Sequence, residues 1–548
     1  MTALHQKINS SAQYFLFAFL VLFFLVSCGD KKPAISFINP KIGMMGEVLT
    51  IQGKNFGAER NESYVTIAGI APTSSSYLAW NDDQIRVRAP EFGESGLVYV
   101  CVGGKKSNGA LFSNQAAIPQ PILGTDVGLS PRIDAVSPAT GAIGALISIT
   151  GSGFGNSRER SGVWFSWDAE TPPSAPAEAN TPGAVEVFEA EFGYELWSDR
   201  EIRVRLPDGA VSGNLEVKTI RGSSRPFYFE VSGKPGTKLF RDKRNYTISY
   251  SVNIQANEAE NPNTLYLWVP KPVSSASQRN IELLSRSMEP FVEDYQGTVL
   301  YQLTNLSSHS RTNINFSYQV ETYAVETNIR PQSIKQNANS PITLFTQSDS
   351  LIPSSDQRVK EKAAAITGRE TNPYIKAQRI YEWLITEGNI QALPLSGGAI
   401  EALEEQRADP YMASLLFCAL ARAAGVPCLP VSGVLVNRAR QTSRHYWVEF
   451  WIDGFGWVPA DAALGAGAAP DAFYLRQDRA SFYFGNLDSQ RITFSRGQAN
   501  LSQMDSRGRS TAHTRSYALQ NLWEEVVGGL ESYSSLWGDI TVTGIYAQ

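Results

Sequence analysis

Asp409-Pro410-Tyr411-Met412-Ala413-Ser414-Leu415-Leu416-Phe417-Cys418-Ala419-Leu420-Ala421-Arg422-Ala423-Ala424-Gly425-Val426-Pro427 is the stretch on which the fold turns. Asp409 is a good N-cap, and Pro410 sits at the first helical position, where a missing N–H costs nothing. Met412 to Ala421 are apolar nearly all round, which predicts a buried central helix. Gly425 and Pro427 end it, and Leu429 to Val436 read as a strand. Next comes His445-Tyr446-Trp447-Val448-Glu449-Phe450-Trp451, a strand with His445, Trp447 and Glu449 on one face. Asp453-Gly454 is a turn leading into Gly456-Trp457-Val458-Pro459-Ala460-Asp461. A three-residue loop, Ile452 to Gly454 with Gly454 left-handed, would set His445 opposite Asp461 on the same face. A two-residue loop would set them on opposite faces.

Upstream of this helix, Asn372-Pro373 opens another, striped by Ala377, Ile380, Tyr381 and Leu384 and closed by Gly388. A short helix is expected over Ala399–Gln406. Taken together, the helix ending Arg422-Ala423-Ala424-Gly425-Val426-Pro427, then His445-x-Trp447-x-Glu449, then Gly456-Trp457-x-x-x-Asp461, resembles the core of the transglutaminase-like superfamily. With the preceding β-rich block and Phe482 to Asp488, the resemblance covers about Asp242–Ser495. It implies an α+β papain-like fold and a Cys-His-Asp triad in which Cys attacks an amide or peptide carbonyl. His445 takes the base position and Asp461 the orienting position. The family nucleophile stands fifteen residues before the glycine of the Gly-Ile/Val-Pro segment, and here that residue is Pro410. Proline removes both the thiol and an N–H that would stabilise an oxyanion, the latter a contribution of about 3 kcal/mol in comparable enzymes.

Two nucleophile readings stay open. In one, the site is degenerate and His445–Asp461 is a retained structural hydrogen bond. The candidate binding cleft is then lined by Trp447 and Trp457, with a protein or cell-wall ligand. In the other, an active acyltransferase or protease uses Cys418. That residue lies ~12 Å further along the helix axis than Pro410, away from the N-terminal field that activates thiols. Cys418 and Cys428 otherwise read as core cysteines, and Ser414 has no base placed by any motif.

The first half repeats itself. Pro40-x-x-Gly43-x-x-Gly46 and Gly53-x-x-Phe56-Gly57 recur as Pro138-x-x-Gly141-x-x-Gly144 and Gly151-x-Gly153-Phe154-Gly155, at a constant offset of 98 residues. Trp80 to Val87 recur as Trp197 to Val204 at an offset of 117, so the second copy carries about 19 extra residues. The Pro/Ala/Glu-rich stretch near Thr171 to Val187 reads as that insertion, a surface loop. Short alternating strands between Gly and Pro turns indicate two β-sandwiches. They resemble the immunoglobulin-like IPT/TIG family over about Pro33–Asn114 and Pro131–Ser232. That resemblance implies spacer or binding modules, with no catalytic constellation.

The expected order is therefore a leader over 1–27, IPT/TIG-like modules over 28–116 and 131–232, and a β-rich domain over 238–330. A polar linker (331–356), the transglutaminase-like core (357–500) and a tail (501–548) follow. In the tail, Leu519, Leu522, Trp523 and Val526 predict a helix, and residues around Ile540 to Tyr546 a late strand.

The N-terminus sets the expected address. Lys7 precedes an apolar run from Tyr14 to Val26, a length that suits a signal-peptide core. It ends Leu25-Val26-Ser27-Cys28-Gly29, which resembles the bacterial lipobox, implying lipidation of Cys28 and a membrane-tethered, extracytoplasmic protein, periplasmic or at the cell surface. Apolar content of 43% and charged content of 18% describe folded domains. A net charge of −5 with no basic block argues against nucleic acid as a partner. After Cys28 only Cys101, Cys418 and Cys428 remain, too few for a disulfide framework and without zinc-ligand spacing. No cofactor and no metal is expected.

Overall fold

The computed structural model describes residues 32–547 apart from 74–75, 91–94, 116–129, 159, 170–182 and 335–340. The leader and Cys28 lie outside the described residues.

Both repeats fold as two-sheet β-sandwiches with the same strand order. In the first, Ala34–Asn39, Val48–Lys54, Gln84–Arg88 and Tyr77–Trp80 line up as one sheet; in the second, Arg132–Ser137, Leu146–Ser152, Glu201–Arg205 and Tyr194–Trp197 do the same. The repeated aromatics explain the matching motifs. The Val65 N–H donates to Tyr77 Oη at 2.8 Å, and the Val163 N–H to Tyr194 Oη at 2.9 Å. The Trp80 indole donates to the Phe56 carbonyl, and that of Trp197 to Phe154. The extra residues of the second copy are more than a loop. Gly183–Glu186 form a strand on Gly162–Trp167, and Glu189–Phe192 turn inward toward the C-terminal half.

A long bent strand, Gly236–Pro270, organises the next sheet. It pairs with Arg311–Ile329 and Thr298–Thr304, and then with two strands from the far C-terminus, Glu524–Trp537 and Thr541–Ala547. The predicted tail helix is therefore a misreading. Val526 stands opposite Leu265 in a ladder, the Trp268 N–H donates to the Trp523 carbonyl, and the Gln520 amide donates to the Trp268 carbonyl. The apolar stripe was real but serves three cores, with Leu519 in the helix-side core, Leu522 against Trp268, and Trp523 and Val526 in the main sheet. Pairing with an existing strand outweighed helical spacing.

The transglutaminase-like part packs helices Gln357–Thr367, Pro373–Glu387, Ala399–Glu405 and Pro410–Ala423 on one face of a four-stranded sheet. The sheet order is Gly456–Ala460, Thr442–Ile452, Cys428–Val436, Arg491–Arg496. Its other face shares one continuous apolar cluster with the second sandwich. The 331–356 segment does not behave as a free linker. Ile342 is buried, Phe345 sets its ring edge-on to Trp457, and Asp349 pairs with Arg422 at 2.8 Å.

Candidate functional site

The central helix begins as the sequence requires. Asp409 caps it, accepting the Met412 N–H at 2.9 Å, and Pro410 is its first residue. The second Asp409 oxygen accepts the Leu395 N–H at 2.8 Å and pairs with Arg515. Arg515 lies over the Tyr411 ring at 4.5 Å and donates to the Gly397 carbonyl at 2.7 Å. The helix start is thus occupied by Pro410, and the C-terminal segment packs beside it through Arg515.

His445 lies on the strand Thr442–Ile452, opposite Gly433. Only glycine fits there, because a Cβ would come within 2.0 Å of the Ile492 carbonyl oxygen. His445 Nε2 is 2.8 Å from Asp461 Oδ2. The hairpin between them differs from the expected one. Its three-residue loop is Asp453-Gly454-Phe455, because Ile452 pairs with Gly456, so the register slides by two residues. A two-residue slide preserves side-chain parity, so the pair still shares a face. Asp461 also caps the helix Ala462–Ala466, accepting the Leu464 N–H at 3.0 Å.

The pair does not stand alone. Arg491 donates to Asp461 at 3.1 Å and to Asp488 at 2.7 Å, and its guanidinium lies over Trp447. Burial pushes the Asp461 carboxyl up, but His445 and then Arg491 outweigh it and hold it below the usual carboxylate value. Burial likewise opposes the Arg491 charge, yet Asp488 and Asp461 keep it firmly protonated. Arg491 escaped the sequence reading. Its strand alternates Arg491, Thr493, Ser495 with Ile492 and Phe494, a pattern that reads as a solvent face, and only Trp447, Asp488 and the long sheet's Gln278, Thr322 and Tyr323, packed around it, bury it.

Cys418 does not join this network. Cys418 and Cys428 are buried with their sulfurs 3.3 Å apart, in the helix-side core with Phe450. His445 is five positions from Phe450 on a regular strand and so points to the opposite face. Burial also pushes the Cys428 thiol well up. Ser414 Oγ is engaged with the Tyr411 carbonyl at 2.8 Å.

The expected Trp447–Trp457 cleft is closed. Each tryptophan is 2% exposed, and the cavities beside them measure about 20 and about 10 Å3, room for a water at most. The second sandwich covers this face. Ile143 bridges to Gly454, Glu191 pairs with Arg496, and Lys238 ties Asp208 to the Trp457 carbonyl. A roomier groove of about 750 Å3 lies between both sandwiches and the long sheet, bordered by Arg158, Arg160, Phe188, Leu283 and Tyr295.

Residues 360–462 match the transglutaminase-like superfamily core, and residues 33–117 and 131–169 match the IPT/TIG domain. The chain carries a transglutaminase-like core domain and IPT/TIG domains. It is 25% identical over 275 residues to an uncharacterized protein of Haemophilus influenzae, covering 42% of this chain and 73% of that one. It is 27% identical over 153 residues to a cyclomaltodextrin glucanotransferase of Paenibacillus macerans, covering 28% of this chain and 20% of that one. Among solved structures, the periplasmic domain of TgpA from Pseudomonas aeruginosa aligns at 14% identity and a TM-score of 0.24, over 42% of this chain and 91% of that one.

Proposed function

We propose that the protein is an extracytoplasmic lipoprotein, tethered through Cys28, whose transglutaminase-like domain has lost its nucleophile and serves binding within the cell envelope. The observation that carries this reading is Pro410 at the first position of the central helix, with both remaining core thiols on the far side of the sheet from His445. The His445–Asp461–Arg491 network then acts as a buried brace between sheet and loop. The test is thiol reactivity. In the mature chain with Cys28→Ser, first reduced and then freed of reductant, iodoacetamide at about pH 6 labels Cys418 and Cys428 slowly, and His445→Ala leaves the rate unchanged. Rapid labelling that vanishes in His445→Ala would restore the enzyme reading.

Binding is assigned to the groove between the three β modules rather than to the covered Trp447–Trp457 face. Its volume and its place between domains suit a ligand site. The partner is a protein or cell-wall component. Saturable binding to isolated envelope fractions is expected to fall at least tenfold in Arg160→Glu/Leu283→Asp and to persist in Trp447→Phe. Equal binding by the groove variant and the parent protein removes the groove from the proposal.

A further inference from the structure

Cys418 and Cys428 are the one pair of core nucleophiles that the proposed function leaves unused. Cys418 sits in the last turns of the central helix and Cys428 opens the strand that follows, with the turn Ala424–Pro427 between them. Both are 0% exposed, and the two sulfurs are each other's hydrogen-bond partner at 3.3 Å. A disulfide needs an S–S separation of about 2.05 Å, so the two sulfurs stand only roughly 1 Å beyond bonding distance. The third described cysteine, Cys101, belongs to the first sandwich and packs on another strand, so only one pairing is open. The Arg422 guanidinium already pins this end of the helix, donating to the Cys428 carbonyl at 2.8 Å.

We infer that Cys418 and Cys428 form an intramolecular disulfide when the chain folds in an oxidising compartment, an inference that rests on the extracytoplasmic reading. The chemistry is exchange with an external disulfide, such as oxidised glutathione or an oxidised dithiol protein. One thiolate attacks that disulfide and displaces a thiolate, giving a mixed disulfide. The second thiolate then attacks the mixed disulfide at the protein sulfur, forming the internal bond and releasing the other external thiolate. Two electrons pass to the oxidant, and the two thiol protons go to solvent and the released thiolates. The folded core excludes the oxidant, so the bond forms before the helix closes on the strand. The cross-link fastens the C-terminal end of the helix that Pro410 begins.

The experiment uses the mature chain with Cys28→Ser, unfolded and refolded either with oxidised and reduced glutathione or with dithiothreitol. Samples are then denatured, alkylated and mapped by mass spectrometry. After oxidative refolding, the peptides carrying Cys418 and Cys428 should be joined, unalkylated and lighter by two hydrogens, while Cys101 is alkylated. The oxidised form should melt roughly 5–10 °C above the reduced form. Cys418→Ala should abolish both differences while still refolding. Three alkylated cysteines in a correctly refolded sample, or a link through Cys101, overturns the inference. Because glutathione supplies the oxidant in the tube, that result would leave the cellular location untouched. Conversely, a bond that forms in the tube but is absent from protein isolated from cells would count against the compartment and not against the pairing.

Discussion

Asp461→Ala is expected to destabilise the C-terminal half by roughly 3–5 kcal/mol, the range for removing one partner of a buried ion pair. Arg491 is almost fully buried and divides its charge between Asp461 and Asp488; losing one leaves it undercompensated. The Leu464 N–H loses its cap, a contribution of about 1 kcal/mol by itself, and His445 loses its hydrogen-bond partner. Asp461→Asn should cost less, since the amide oxygen can still cap the helix. Denaturant melts measure both. A loss below about 1 kcal/mol for the alanine variant would mean the network does not brace the fold. The pH dependence has a fixed sign. The Asp461 carboxyl is held below its ordinary value in the folded state. Its contribution is therefore present above the unfolded value, about 3.9, and fades as pH falls through the folded one. The gap between parent and Asp461→Asn should narrow in acid below about pH 4.

Arg496→Ala should have an effect of similar size and a different consequence. Arg496 holds Glu449 of its own sheet at 2.6 Å and reaches Glu191 of the second sandwich. Without it, two largely shielded carboxylates face each other and the sandwich loses its polar anchor, at a cost of up to roughly 3–5 kcal/mol, the range for a fully buried pair. Limited proteolysis should then cut near 232–235, between the sandwich and the long sheet, faster than in the parent. Acid should relieve this variant. Burial already pushes the Glu191 carboxyl up while Arg496 counters it. A group raised in the folded state favours folding below its unfolded value and loses that contribution as pH rises through the folded one. The deficit of Arg496→Ala should therefore be smaller near pH 4 than near pH 7; here acid relieves the variant, whereas the Asp461→Asn gap narrows because acid weakens the parent. Replacing Arg496, Glu449 and Glu191 together by Met, Leu and Leu should recover most of the loss, because a packed apolar trio needs no charge compensation. A triple variant as unstable as the single one would show that the contact, not the charge, carries the anchor.

Much of this architecture was legible in the chain. The two repeats announced paired sandwiches, and each copy reuses the same Tyr and Trp hydrogen bonds. The central helix could be read from Asp409, Pro410 and the apolar run, because capping and proline chemistry act within one turn. Parity carried the His445–Asp461 pairing through a register that was two residues off. Three other expectations failed where a remote partner intervened. The stretch Leu519 to Val526 did not become a helix, because the strand Gly236–Pro270 offered a ladder that takes it from Glu524 onward. Residues 341–349 were drawn into the core by Trp457 and Arg422. Trp447 and Trp457 lost their cleft to the second sandwich.

The sequence by itself determined that position 410 carries neither thiol nor amide hydrogen, since this is covalent and no packing can restore it. It also determined which residues share a strand face, because alternation is a property of the backbone. The tertiary structure alone decided whether a face meets water. Glu191 and Arg496 stand 305 residues apart, and nothing local to either foretells that they meet. Burial is set by what packs across a face, so the same Arg491–Ser495 alternation that would suit a solvent-facing strand here lines a closed interface.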